Sequence, residues 1–92
     1  MNNTDIIKNE KEHRFELWTG DLVSFVTYNI KDNMLILFHT EVPEELSGKG
    51  IASKLAAHVL NYGKDHGYKL KVYCPFITKY IERHPEWRQY MV

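Results

Sequence analysis

Hydrophobic and polar positions alternate along the first half of the chain and change to helical spacing in the second. Over 13–18, Phe15 and Leu17 are set against Arg14 and Glu16, the period of two of a half-buried strand. Thr19-Gly20-Asp21 reads as a turn. Residues 22–30 are rich in β-branched and aromatic side chains (Val23, Phe25, Val26, Thr27, Tyr28) and predict a second strand. A tight polar connection, Lys31-Asp32-Asn33, leads into Met34-Leu35-Ile36-Leu37-Phe38. That unbroken apolar run predicts a central strand covered on both faces. It is expected to continue through His39, Thr40, Glu41 and Val42 until Pro43 stops it.

After Pro43 the period changes. Ile51, Leu55, Ala56, Val59 and Leu60 recur at the spacing of an amphipathic helix of roughly four turns. Gly67 is placed to cap it in the left-handed conformation. Residues 68–74 alternate again, with Leu70, Val72 and Cys74 against Lys69, Lys71 and Tyr73, until Pro75 ends the strand. A short helix over 76–83 follows, closed by His84-Pro85-Glu86-Trp87. The fold class is therefore α+β: an antiparallel meander, a long helix, a strand and a short C-terminal helix. The strands flanking the long helix are expected to be parallel, joined by a right-handed crossover. Residues 1–11, polar apart from Ile6 and Ile7, are expected to form a flexible terminus. Residues 12–92 then make one domain.

Composition narrows the function. Twelve basic and twelve acidic residues cancel, so the positive excess that grips nucleic-acid phosphates is missing. Neither a nucleic acid nor a membrane is expected as partner, because the apolar runs are too short to span a bilayer. The start of the chain lacks the pattern of a signal peptide. Cys74 is the single cysteine and has no internal disulfide partner, and no Cys/His set stands at zinc-ligand spacing. These features point to a cytoplasmic protein without a metal. An exposed edge strand in so small a sheet would suit a homodimer.

The segment Glu45-Leu46-Ser47-Gly48-Lys49-Gly50-Ile51-Ala52 falls between a strand and the start of the long helix. The first N–H groups of a helix lack internal partners and carry partial positive charge. Gly48, Gly50 and Ala52 keep side chains away from them, so a phosphate or pyrophosphate fits there. A flexible turn with Ser47 as N-cap is the plainer reading. The Walker and dinucleotide-binding spacings are both absent.

Glu41-Val42-Pro43, followed by Ser47-Gly48-Lys49-Gly50-Ile51-Ala52 and Leu55, resembles the acetyl-CoA motif of GNAT acetyltransferases. Gly50 and Ala52 fall on its two small positions, while Ser47 stands where the family usually has Arg or Gln. Cys74-Pro75-Phe76 and His84-Pro85-Glu86-Trp87 are similar to the pattern of a short, stand-alone branch of that superfamily. The resemblance covers about residues 13–88. It implies a GNAT-like fold and an N-acetyltransferase that uses acetyl-CoA, with an amine as acceptor. A non-catalytic module binding CoA or acetyl-CoA is the alternative, and a structural interaction domain is a third.

The resemblance also implies roles. The backbone of Thr40, Glu41 and Val42 would pair with the pantetheine amides as an added strand does. Ser47, Gly48, Lys49, Gly50, Ile51, Ala52 and Ser53 would hold the pyrophosphate, and the thioester would lie near Cys74 and Pro75. Cys74 is a candidate nucleophile or proton relay, against its reading as a small buried hydrophobe. His39 and Glu41, two apart on a strand, share a face, and either is a candidate general base. Tyr80 is a candidate donor to the leaving thiolate, against a packing role. Tyr73 is expected to point away from Cys74, and Trp18 and Trp87 to pack the core or seal the C-terminus.

Overall fold

The computed structural model describes residues 6–92. Five strands form one sheet in the order β1-β2-β3-β4-β5. They are β1 (Ile6–Asn9), β2 (Arg14–Thr19), β3 (Leu22–Lys31), β4 (Met34–Glu41) and β5 (Lys69–Val72). The first four are antiparallel neighbours, and β5 runs parallel to β4. The crossover between them is helix α1 (Ile51–Asp65), and α2 (Pro75–Arg83) follows β5. Short 3-10 turns occupy Glu44–Leu46 and Pro85–Tyr90. At the β3–β4 hairpin, Asp32 and Asn33 both have positive φ, as a two-residue turn matching the strand twist requires.

Both helices pack on the same side of the sheet. Phe15 and Leu17 of β2, Val26 and Tyr28 of β3, Leu35 and Leu37 of β4 and Leu70 of β5 form one buried cluster with the helices. Leu55, Ala56, Val59 and Leu60 complete it from α1, and Ile77 and Ile81 from α2. Gly63 lets α1 approach the sheet closely. A Cβ built there would stand 2.5 Å from Leu70 Cδ2 and 3.2 Å from Leu35 Cδ2.

The other face of the sheet carries no helix among the described residues. The expectation that β4 is covered on both sides is therefore corrected: Leu35 and Leu37 are buried under the helices, whereas Ile36 is half-buried and Phe38 is 44% exposed. Two apolar faces on a strand permit two-sided burial, but the described residues supply no second layer. Trp18, expected in the core or at the C-terminus, also lies on this face and is exposed.

The terminal segment differs from expectation as well. Residues 1–5 lie outside the described residues, but residues 6–9 of the expected flexible 1–11 segment form strand β1. Tertiary contacts hold it there. Ile6 reaches the core, Lys8 Nζ lies 5.5 Å from the ring centroids of Tyr28 and Tyr62, and Asn9 Nδ2 donates to Glu16 Oε2 at 3.0 Å.

Glu16 is the buried charge of the helix-free face, 4% exposed. Arg14 donates to it from Nε (2.9 Å) and Nη2 (2.6 Å), and Trp18 from Nε1 (3.1 Å). Burial alone would push its carboxyl up. The donors from Arg14, Trp18 and Asn9 outweigh burial and hold it below the usual carboxylate range.

Two stability outcomes are expected. Gly63→Ala should destabilise by about 1–2 kcal/mol despite the better helix propensity of alanine, because overpacking against Leu70 and Leu35 dominates. Glu16→Gln should cost about 1–3 kcal/mol at neutral pH. Its folded-state pKa is depressed, so the carboxylate's contribution exists above the unfolded value and is lost as pH falls through the folded one. Urea denaturation should show wild type and Glu16→Gln converging below about pH 4.

Candidate functional site

The site begins where β4 and β5 separate. Their pairing runs from Met34–Lys69 to Leu37–Val72, and the Tyr73 N–H to Leu37 carbonyl bond at 2.8 Å is its last rung. Pro75 then starts α2 at its first turn, where a missing N–H costs nothing. The chain turns away into that helix while β4 continues to Glu41. Backbone groups of this last part of β4 that face away from β3 therefore meet no strand.

A bulge sets which side chains line the gap. Tyr28 pairs with Leu37 and Thr27 with His39, leaving Phe38 as the extra residue. Phe38 and His39 thus fall on the same, helix-free face, and the alternation reverses beyond them. Thr40 turns towards the helices, where its Oγ1 lies 3.1 Å from Cys74 Sγ across the gap. Cys74 is 1% exposed, and its carbonyl accepts from the Thr78 N–H and Oγ1, both at 3.0 Å. On the opposite face His39 Nε2 and Glu41 Oε1 are 3.2 Å apart, with both side chains about 60% exposed.

The glycine loop completes the site on the helix side. Gly48 and Gly50 have φ of 79° and 74°. Gly50 caps α1, and its carbonyl accepts the first helical bond from the Lys54 N–H at 3.1 Å. Among the described residues no side chain caps this end, and no acidic residue stands in the first turn. The N–H groups of Ile51, Ala52 and Ser53 therefore have no helix partner and face an uncompensated positive dipole end. Beside them lies a cavity of about 300 Å³ lined by Val42, Leu46, Ser47, Gly48, Gly50, Ile51, Ala52, Ser53 and Phe76. A Cβ on Gly48 or Gly50 would meet nothing within 4 Å. The left-handed backbone favours glycine there, and the space above it is open.

The structure thus brings Val42, Ser47, Gly48, Gly50, Ile51, Ala52 and Ser53 to one cavity and joins Thr40 to Cys74. Lys49 is exposed in the loop and does not line the cavity. Pro75 sits between Cys74 and the cavity residue Phe76. His39 and Glu41 share a face as expected, but it is the face opposite the Thr40–Cys74 contact. Tyr80 packs against His84 in a tilted arrangement, ring centroids 4.4 Å apart, with no hydrogen bond to Thr40 or Cys74. Tyr73 points away from Cys74 and stacks on Phe38, with ring centroids 5.8 Å apart and planes 7° from parallel. Leu46 and Phe76 also line the cavity, and neither is among the binding residues expected from the sequence, although Phe76 belongs to the Cys74-Pro75-Phe76 motif. Leu46, a lone apolar residue in a polar loop, was the available signal for the first.

Gly50→Ala should cost only about 1–2 kcal/mol, the strain of a left-handed non-glycine residue. No steric clash adds to it, and thermal denaturation should find the variant folded.

Comparison with known proteins places this geometry in context. The family model for the GCN5-related N-acetyl-transferase matches residues 14–90. A 49-residue segment, 53% of the chain, is 39% identical to Protein NATD1 of Gallus gallus and of Mus musculus. It covers 44% of those proteins, so the match spans less than half the length of these curated relatives. The solution structure of a GCN5-like protein from Staphylococcus aureus superposes with a TM-score of 0.73 at 24% identity. That match covers 100% of this chain and 91% of the other, and shows a shared fold.

Proposed function

The chain belongs to the GCN5-related N-acetyltransferase family, and from that premise we propose that it transfers an acetyl group from acetyl-CoA to an amine. The observation that carries this reading is a helix N-terminus without a side-chain cap that opens on a cavity also lined by Val42, the residue that follows the unpaired end of β4. The N–H groups from Gly48 to Ser53 suit the pyrophosphate. The free backbone edge over Thr40, Glu41 and Val42 suits the pantetheine amides, which would bind as a strand does. Leu46 and Phe76 offer apolar walls to the same arm.

Acetyl-CoA supplies an activated acyl carbon: the amine nitrogen bonds to it, the C–S bond breaks, the amine gives up a proton and the departing thiolate takes one. Thr40 and Cys74 stand at the thioester end of the gap, where the thiol can pass a proton to the leaving sulfur. The His39–Glu41 pair lies on the helix-free face, open to water and to the incoming amine, and is placed to accept the amine proton. A free thiol in the site suits a reducing cytoplasm. The burial of Cys74 favours a second reading, a module that binds acetyl-CoA without turnover.

Calorimetric titration with acetyl-CoA should give micromolar binding, weakened at least ten-fold by Gly50→Val. Absence of heat at several temperatures would remove both readings. CoA release in the presence of amines separates the two: sustained release supports transfer, and binding without release supports the module. Undiminished turnover in Cys74→Ala would exclude the thiol from the chemistry.

A further inference from the structure

The helix-free face holds four of the large apolar side chains that the protein exposes: Ile7, Trp18, Phe38 and Tyr73. Its charges are segregated along the strands. Glu41 and His39 stand at the gap. Lys71 pairs in register with Ile36, Lys69 with Met34, and Met34 with Lys31. By alternation these three lysines project from the helix-free face, on the far side of the Phe38–Tyr73 stack from the gap. Lys71 Nζ already lies 5.8 Å from the Tyr73 ring centroid. Five residues of β4 separate the level of Glu41 from that of Lys71, roughly 16 Å of strand.

We infer that this face docks the acceptor, and that the acceptor is a polypeptide segment carrying a lysine amine with acidic residues about four positions away. The inference rests on the acetyl-transfer reading of the gap. It follows from the order of groups on the surface: a carboxylate for an ammonium, then an aromatic stack, then lysines. The ammonium meets the exposed Glu41 carboxylate. The segment's aliphatic part lies across Phe38 and Tyr73. Its acidic residues reach Lys71 and Lys69, and a segment about 16 Å long is of peptide size rather than that of a small amine. A basic segment is disfavoured by the same lysines.

The test uses the full chain and three synthetic peptides, each with one lysine flanked at about four residues by acidic, neutral or basic side chains. The kcat/KM for acetyl transfer should be about ten-fold higher for the acidic peptide than for the basic one, and the difference should shrink in high salt. Lys69→Glu combined with Lys71→Glu should reverse the order of the peptides. Fluorescence anisotropy of the labelled acidic peptide should show the same charge dependence without turnover. Equal kcat/KM for all peptides, or small aliphatic amines used better than any of them, would overturn the inference while leaving acetyl transfer intact. Failure of acetyl-CoA to bind in calorimetry would remove the underlying reading and this inference with it.

Discussion

The extra residue in β4 is the constraint on which the rest of the site depends. With Phe38 bulged, the alternation of the strand reverses between Leu37 and Thr40. Without it, Thr40 would point to the helix-free face, and His39 and Glu41 would be driven into the apolar layer beneath α1 and α2. The bulge instead keeps two polar side chains in water and delivers a hydroxyl to the buried Cys74 thiol. At the same level β5 stops pairing and turns into α2, so the strands part where the bulge assigns each side chain to a face.

The two faces then have different electrostatics. On the helix side, α1 begins at Gly50 with no side-chain cap and no acidic residue in its first turn, so its dipole end favours an anion. On the other side, Glu41 and His39 are solvated and suited to a cation. An anionic acyl donor and a cationic acceptor would approach the gap from opposite faces, each meeting complementary charge. The fold places these two requirements within a sheet only five strands wide.

Much of this was legible in the chain. The alternation of Phe15 and Leu17, the helical spacing from Ile51 to Leu60, and the Gly48–Gly50 loop gave the meander, the crossover and the left-handed glycine turn that opens the helix. Strand β1 was not legible, because its docking depends on Asn9 meeting Glu16 and Lys8 meeting two tyrosines, contacts that no local pattern announces. The bulge was equally silent: His39-Thr40-Glu41 contains no apolar residue to mark the phase of the strand. The apolar run from Met34 to Phe38 suggested two covered faces because periodicity reports hydrophobicity and cannot report whether a second layer exists. The Thr40–Cys74 contact spans 34 residues of sequence and follows only once the bulge is known.

The central claim is that the gap and the glycine-capped helix end form a single acetyl-CoA site. Backbone amide chemical shifts recorded during a titration with CoA test it most directly. The account predicts the largest changes at Thr40, Glu41 and Val42, through Gly48 to Ser53, and at Cys74 and Phe76. Changes confined to the cavity near Lys64, Trp87 and Tyr90, or no changes at saturating ligand, would contradict it.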